Sequence, residues 1–176
     1  MTVPETEDAH DLQRKRRHRK KKTHDELPGY YDYKPEIPRS PSDPDKPLKV
    51  VVVDDDADLC KMLRIFLWTR GLEVKEAING MQGLALVKNE SPDIILLDIM
   101  MPDIDGFEVC RRLKLDPETR TIPIIFISAR AGQEHVQQGL SLGAEGYITK
   151  PFEPAALLDK IIEVAGRALE RPADTA

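Results

Sequence analysis

The 176-residue sequence lacks the features that mark secreted, membrane-spanning and metal-clustered proteins. It has only two cysteines, Cys60 and Cys110, and their positions in apolar helical patterns predict packed, reduced thiols rather than disulfides or metal ligands. Its longest apolar run is far below the roughly 18 residues that a membrane-spanning helix needs. The amino terminus has neither the charged start nor the apolar centre of a secretion signal. We therefore expect a cytoplasmic protein without a transmembrane segment.

Aromatic residues are also scarce, at 5% of the chain, and those in the first 47 residues are all tyrosines: Tyr30, Tyr31 and Tyr33. This segment holds seven of the 14 prolines together with 11 basic and 10 acidic residues. Such a composition cannot bury enough apolar surface to offset an ordering entropy of roughly 1–2 kcal/mol per residue. We predict that residues 1–47 form a disordered, basic and proline-rich extension.

Within this extension, the stretch RKRRHRKKK, from Arg14 to Lys22, places eight fixed positive charges in nine residues. Self-repulsion should keep the stretch extended, and it could bind a polyanion weakly: nucleic acid, an anionic membrane surface or an acidic protein. Acidic residues on both sides reduce the net attraction. A solvated tail without a dedicated partner is an equal alternative.

Residues 48–170 carry the periodic apolar pattern of one folded domain. Runs of aliphatic residues, such as 48–53 and 122–127, predict strands that are covered on both faces. Between them, apolar residues at three- and four-residue spacing predict helices. Five such alternations with short connections predict an α/β fold, a doubly wound parallel sheet with its site at the carboxyl ends of the strands. The fourth helix should contain Gly139 and Gly143 and be the loosest.

Polar side chains are predicted at the carboxyl ends of four strands, namely Asp54, Asp55 and Asp56 after the first, Asp98 at the third, Ser128 at the fourth and Lys150 at the fifth. These ends share one edge of a parallel sheet, and carboxylates brought close there repel each other unless a cation intervenes. Hard oxygen ligands in small number suit Mg²⁺. The Lys150 ammonium can pair with Asp98 at rest or with phosphate oxygens in the transition state. A carboxylate nucleophile, a metal, an ammonium and a hydroxyl are the parts needed to form an aspartyl phosphate on Asp98.

Each of these residues alone has a simpler explanation. An aspartate after a strand is more often a helix cap or turn residue than a nucleophile. We assign Asp56, next to the first helix, to that capping role. Only the combination of residue types on different strand ends predicts a site.

From Leu48 to about Leu169, the sequence resembles the receiver domain of two-component response regulators, the CheY-like superfamily. The motifs that carry the resemblance are VVVDDD, LLDIMMPDIDGFE, FISA and GYITKPF. The resemblance implies a flavodoxin-like fold with five helices and the strand order 2-1-3-4-5. Together with the segment before it, the chain is expected to be a single receiver domain with a basic amino-terminal extension.

The resemblance also implies a role for each residue at the strand ends. Asp98 would accept a phosphoryl group from a sensor histidine kinase or a phosphotransfer protein. Mg²⁺ would be bound directly by Asp55, by Asp54 through water or as a second ligand, by Asp98, and by the backbone carbonyl of Met100. Ser128 and Lys150 would contact the phosphoryl group as catalytic residues.

A conformational switch is implied as well. Tyr147 would rotate as Ser128 follows the phosphoryl group, changing partner binding at the face around the fourth helix, fifth strand and fifth helix. The peptide bond from Lys150 to Pro151 is expected in the cis form. Gly106 should support the loop after the phosphoacceptor.

We therefore expect a phosphoacceptor switch with only slow self-phosphorylation and self-dephosphorylation. The tail of residues 171–176 is too short for an output domain, so output would go through an unknown downstream protein or through the amino-terminal extension. One alternative is a Mg²⁺-dependent phosphohydrolase, but such enzymes usually have a second acid two residues past the nucleophile, where Met100 stands. Another is a nucleic-acid-binding module that uses the basic run, which lacks interleaved aromatic residues.

Two large side chains, those of Met100 and Arg130, are expected to flank the phosphoryl position. They lie two residues beyond Asp98 and Ser128, respectively. We expect them to hinder the water that would hydrolyse the phosphoryl group. A solvated residue at the start of a helix is an equal alternative for Arg130.

Overall fold

The computed structural model describes residues 35–170. The predictions for the basic run, for the three tyrosines and for residues 171–176 lie outside the described residues. Within residues 35–170, no helix is both long enough and apolar enough to cross a membrane.

Five parallel strands form one sheet in the order β2-β1-β3-β4-β5. The strands are β1 (Lys49–Val53), β2 (Glu73–Ala77), β3 (Ile94–Asp98), β4 (Ile124–Ser128) and β5 (Gly146–Thr149). The helices that alternate with them are α1 (Ala57–Trp68), α2 (Gly80–Glu90), α3 (Gly106–Leu115), α4 (Gln133–Ser141) and α5 (Pro154–Glu170). The predicted fold class, strand order and helix count are confirmed.

The three central strands are buried on both faces, which explains their aliphatic composition. Alternate residues serve two separate cores because successive side chains of a strand point to opposite faces. Val52 faces the core formed with α1 and α5, and Val51 faces the core formed mainly with α2 and α3. Cys60 lies in the first core and Cys110 in the second, and both are free and buried, as predicted.

Helix α4 buries the fewest residues of the five helices in residues 35–170. It is the shortest helix of the described chain, with nine residues, and Gly139 is its only buried residue. The prediction that Gly143 belongs to this helix is wrong. The helix ends at Ser141, and Gly143 follows with a φ of +92°, a left-handed conformation that glycine adopts without strain.

The compact unit begins at residue 36, earlier than the boundary predicted after residue 47. Residues 36–47, here called the amino-terminal strap, cross the amino edge of the sheet. The Ser40 hydroxyl donates a 2.7 Å hydrogen bond to Asp93, whose other carboxylate oxygen accepts the backbone N–H of Lys49 at 2.7 Å. Ile37 packs against the core of α1 and α5. The sequence did not indicate this segment because its contacts are mostly polar and its apolar residues show no helical or strand periodicity.

Candidate functional site

Three carboxylates meet at the carboxyl edge of the sheet. One oxygen each from Asp54, Asp55 and Asp98 can be chosen so that all lie within 4.8 Å of one another. Strands β1 and β3 are neighbours, with Val53 opposite Leu97, and this register brings the residues that follow β1 beside the end of β3. Asp54 and Asp98 are almost fully buried, whereas Asp55 is exposed. The structure thus brings together the three carboxylates that the sequence analysis singled out.

Lys150 completes this acidic cluster from the end of β5. Its Nζ lies 2.9 Å from Oδ1 of Asp98, a pairing that the sequence analysis anticipated, and 2.6 Å from Oδ2 of Asp54, which it did not. The Lys150 backbone N–H donates to the carbonyl of Ser128 at 2.8 Å, which fixes the start of this segment. The peptide bond to Pro151 is cis, as predicted.

Charge at the cluster is unbalanced, since three carboxylates face one ammonium. Burial raises the pKa of Asp98, and the hydrogen bond from Lys150 offsets only part of that effect. Burial acts to lower the pKa of Lys150, but Asp54 and Asp98 outweigh it, so the pKa of Lys150 is raised. Lys150 therefore stays charged, but its one ammonium faces three carboxylates, an arrangement that a further cation would stabilise.

The donor set fits a hard divalent cation. Carboxylate oxygens are the ligands that Mg²⁺ prefers, and an exposed carboxylate beside two buried ones leaves room for water ligands. The backbone N–H of Met100 donates to Oδ2 of Asp98 at 2.6 Å, which places this residue next to the cluster. The Met100 side chain is 52% exposed and brings no acid to the position that the phosphohydrolase alternative requires.

Gly106 allows the chain to turn tightly after β3. Its N–H donates to the carbonyl of Ile99 at 3.0 Å. A Cβ at this position would overlap the backbone carbonyl oxygen of Asp98, so a side chain would push the strand end out of place. The supporting role predicted for Gly106 therefore has a steric basis.

Asp56 has the capping role that the sequence analysis gave it. Its Oδ1 accepts the backbone N–H groups of Asp58 and Leu59 at 3.1 and 3.0 Å, which caps α1. Its own N–H donates to Oδ1 of Asp54 at 3.0 Å. The three consecutive aspartates thus have different roles, and Asp56 helps to orient Asp54.

Ser128 and Tyr147 both contact the backbone of Arg130, a shared partner that no sequence pattern indicated. The buried Ser128 hydroxyl oxygen accepts the Arg130 N–H at 3.2 Å. The Tyr147 hydroxyl donates to the Arg130 carbonyl at 2.6 Å, and its ring centroid lies 6.0 Å from that of Phe126. Any movement of the loop after β4 therefore disturbs both side chains together.

The sequence profile of the family described as "Response regulator receiver domain" matches residues 50–162. The chain belongs to this family. This receiver domain is 36% identical over 126 residues to the DNA-binding dual master transcriptional regulator RpaA of Synechocystis sp., a match that covers 72% of the chain and 50% of RpaA. It is 42% identical over 118 residues to the phosphate regulon transcriptional regulatory protein PhoB of Pseudomonas aeruginosa, a match that covers 67% of the chain and 52% of PhoB. The chain spans about half the length of these curated relatives.

Solved structures share the fold. A CheY-like response regulator receiver domain protein from Methanospirillum hungatei has a TM-score of 0.66 and 32% identity, covering 71% of this chain and 98% of that one. A putative response regulator from Chloroflexus aurantiacus has a TM-score of 0.66 and 34% identity, and the match covers 69% of this chain and 100% of that one. Receiver domains are signalling switches of two-component systems that interact with histidine kinases or phosphotransfer proteins and bind Mg²⁺ at an acidic pocket.

Proposed function

We propose that Asp98 of this receiver domain accepts a phosphoryl group from a sensor histidine kinase or a phosphotransfer protein, with Mg²⁺ as cofactor. The supporting observation is the position of Asp98, buried at the end of β3 and 2.9 Å from the Lys150 ammonium. Asp54 and Asp55 lie beside it and supply further oxygen ligands. No comparable grouping of three or more acidic, histidine or cysteine ligands occurs elsewhere in residues 35–170.

In the transfer step, a carboxylate oxygen of Asp98 attacks the phosphorus of a phosphohistidine. The phosphorus–nitrogen bond breaks, and its electron pair returns to the imidazole, which leaves as a neutral ring because its other nitrogen carries a proton. Lys150 then exchanges part of its contact with Asp98 for a phosphoryl oxygen. Mg²⁺, bound by Asp54, Asp55, Asp98 and the carbonyl of Met100, would neutralise charge on the phosphoryl oxygens.

The switch follows from the charge that phosphorylation adds. About −1.5 to −2 charges at Asp98 attract the Ser128 hydroxyl, which must then release the Arg130 N–H. The Tyr147 hydroxyl donates a hydrogen bond to the carbonyl of Arg130, in the loop after β4. Tyr147 and the start of α4 therefore rearrange when this loop moves. The face of α4, β5 and α5 thereby changes its affinity for a downstream protein.

We further propose that the protein works in the cytoplasm.

A last part of the proposal concerns the amino-terminal region. The basic run from Arg14 to Lys22 makes weak, sequence-independent contact with polyanions. A filter-binding titration at low salt should show weaker nucleic-acid binding after deletion of residues 1–34. The deletion stops there because residues 36–47 are part of the fold. Equal binding by both proteins would contradict the contact.

Phosphotransfer from a panel of autophosphorylated histidine kinases tests the main proposal. We expect label to appear on the wild-type protein with at least one kinase in Mg²⁺ and to be absent from the Asp98→Asn variant. A generic phosphatase substrate should not be turned over. Sustained turnover that survives in Asp98→Asn, or equal labelling of the variant, would contradict the switch.

A further inference from the structure

The loop of residues 99–105 is tied to a neighbouring helix by one side chain. The carboxylate of Asp103 accepts the backbone N–H groups of Gly80 and Met81 at 3.0 and 2.9 Å. These are the first two residues of α2, and the side chain of its own cap, Asn79, accepts the N–H of Gln82 rather than either of theirs. Asp103 therefore supplies acceptors that the helix terminus otherwise lacks, and a carboxylate is favoured there by the helix dipole.

A second contact reinforces the connection between this loop and α2. Ile104 packs so closely against Gly80 that a Cβ at Gly80 would lie 2.5 Å from Cγ1 of Ile104. Ile104 also contacts the core formed with α2 and α3. The loop is thus held against the start of α2 by adjacent polar and apolar contacts.

The same loop carries the group that orients the phosphoacceptor. Met100 lies three residues before Asp103, and its N–H donates to Oδ2 of Asp98 at 2.6 Å. Gly106 fixes the far end of the loop through Ile99, and Asp105 caps α3 by accepting the N–H of Glu108 at 2.8 Å. These contacts are local to the loop and α3, whereas those of Asp103 reach a different element.

We propose that Asp103 is a positioning residue, which holds the 99–105 loop on α2 so that the Met100 backbone is aimed at Asp98 and at the cation site. This proposal rests on the proposed function of that site. The hydrogen bonds to Asp103 also account for the direction in which its pKa is shifted. Burial acts to raise its pKa, but the backbone N–H donors, including those of Met81 and Gly80, outweigh burial and lower it.

Asn79 provides a matched control. Asp103→Ala and Asn79→Ala both remove acceptors from the amino end of α2, so both should lower stability in urea to a similar extent. Only the Asp103 variant releases the loop. Asp103→Asn keeps one acceptor oxygen, so its effect should lie between those of wild type and Asp103→Ala. This graded series distinguishes positioning from a general loss of helix stability.

The test combines Mg²⁺ titration calorimetry with the ¹H–¹⁵N signal of the Met100 amide, recorded first without Mg²⁺. We expect Asp103→Ala to weaken Mg²⁺ binding about tenfold, the low end for groups that orient metal ligands, with Asp103→Asn between it and wild type. The Met100 amide should shift upfield and exchange faster in Asp103→Ala but not in Asn79→Ala. An unchanged Met100 signal, or equal Mg²⁺ affinities in Asp103→Ala and Asn79→Ala, would overturn the proposal.

These readouts separate the positioning role from the proposed function. The Met100 signal in the Mg²⁺-free protein reports on loop geometry whether or not Asp98 is phosphorylated. A wild-type protein that no kinase labels would contradict the proposed function. The amide comparison would still decide whether Asp103 positions the loop.

Discussion

Asp93 and Asp98 lie at opposite ends of β3, and the same side chain has different surroundings at the two positions. Asp93, just before β3, is half-buried, and its two oxygens accept hydrogen bonds from Ser40 and Lys49. Asp98, the last residue of β3, is buried beside two more carboxylates and shares one ammonium with Asp54. The amino edge of the sheet is electrostatically satisfied, whereas the carboxyl edge carries excess negative charge.

This difference separates an aspartate that stabilises the fold from the one that we propose accepts a phosphoryl group. A carboxylate that accepts hydrogen bonds from neutral donors at close range stabilises the fold. A carboxylate that lies beside other carboxylates lowers the stability of the fold. Binding of a cation or a role in phosphoryl transfer would explain why such an arrangement is present. The predictions below test this contrast, from the largest expected effect to the smallest.

Lys150→Ala should have the largest effect on stability. It leaves Asp54 and Asp98 buried without their cation, at a cost of about 3 kcal/mol, the low end of the range for breaking a buried pair because Lys150 is 23% exposed. Urea denaturation in Mg²⁺-free buffer measures the loss. Adding Mg²⁺ should restore stability to this variant more than it stabilises wild type, since the cation binds only the folded cluster.

The control for that prediction lies at the amino edge. Lys114 pairs with Glu145 at 3.1 Å and is even less exposed, at 14%, and in the described part of the chain this pair is not part of a grouping of three carboxylates. Lys114→Ala should lose stability that Mg²⁺ does not restore. Equal Mg²⁺ responses of the two variants would show that the carboxyl edge has no special affinity for the cation.

Asp93→Ala should cost about 1–3 kcal/mol, because it removes the acceptor of the Lys49 N–H and one partner of the Ser40 hydroxyl. Ser40→Ala removes one of the two donors to Asp93 together with the contacts of Ser40 with Ser42, and should cost about 1 kcal/mol. Both values come from urea denaturation. A larger loss for Ser40→Ala than for Asp93→Ala would contradict the role given to Asp93 as the common acceptor.

Arg130→Ala should shorten the lifetime of the phosphorylated protein. We expect the exposed Arg130 side chain to hinder the attacking water, and its removal should speed dephosphorylation by less than tenfold, about 1.4 kcal/mol of barrier or less. Decay of the label after removal of the donor gives the rate. An unchanged half-life would leave Arg130 as a solvated residue before α4 whose backbone alone has a role.

The smallest effect concerns the two cysteines, which should not react with an alkylating reagent at pH 8 in the folded protein. Burial raises the pKa of Cys60 to about 12 and that of Cys110 to about 11, so almost no thiolate forms. Both should react once the protein is denatured. Rapid labelling of the native protein, measured by mass spectrometry, would contradict the packing of either thiol.

The sequence predicted most of the fold and the convergence of the acidic cluster because these depend on strong, periodic apolar runs and on strand ends that parallel pairing brings together. It did not predict the amino-terminal strap, where Ser40 and Asp93 are 53 residues apart and form a polar contact. Helix α4 shows a related limit. Gly143 fits a helical spacing, but only the backbone shows the left-handed turn.

The contacts that tune the site were the least predictable. Neither the second partner of Lys150 nor the link from Asp103 to α2 follows from the identity or spacing of the residues. Both depend on side-chain directions in loops. Such directions are fixed by the surrounding structure rather than by any local pattern.

The most direct test of the account compares the two aspartates at the ends of β3 in the same reaction. Wild type, Asp98→Asn and Asp93→Asn would each be incubated with acetyl phosphate and Mg²⁺ and analysed by intact-protein mass spectrometry. The account predicts the added mass of one phosphoryl group on wild type and Asp93→Asn and none on Asp98→Asn. An unchanged mass for wild type, or phosphorylation of Asp98→Asn to the same extent, would contradict it.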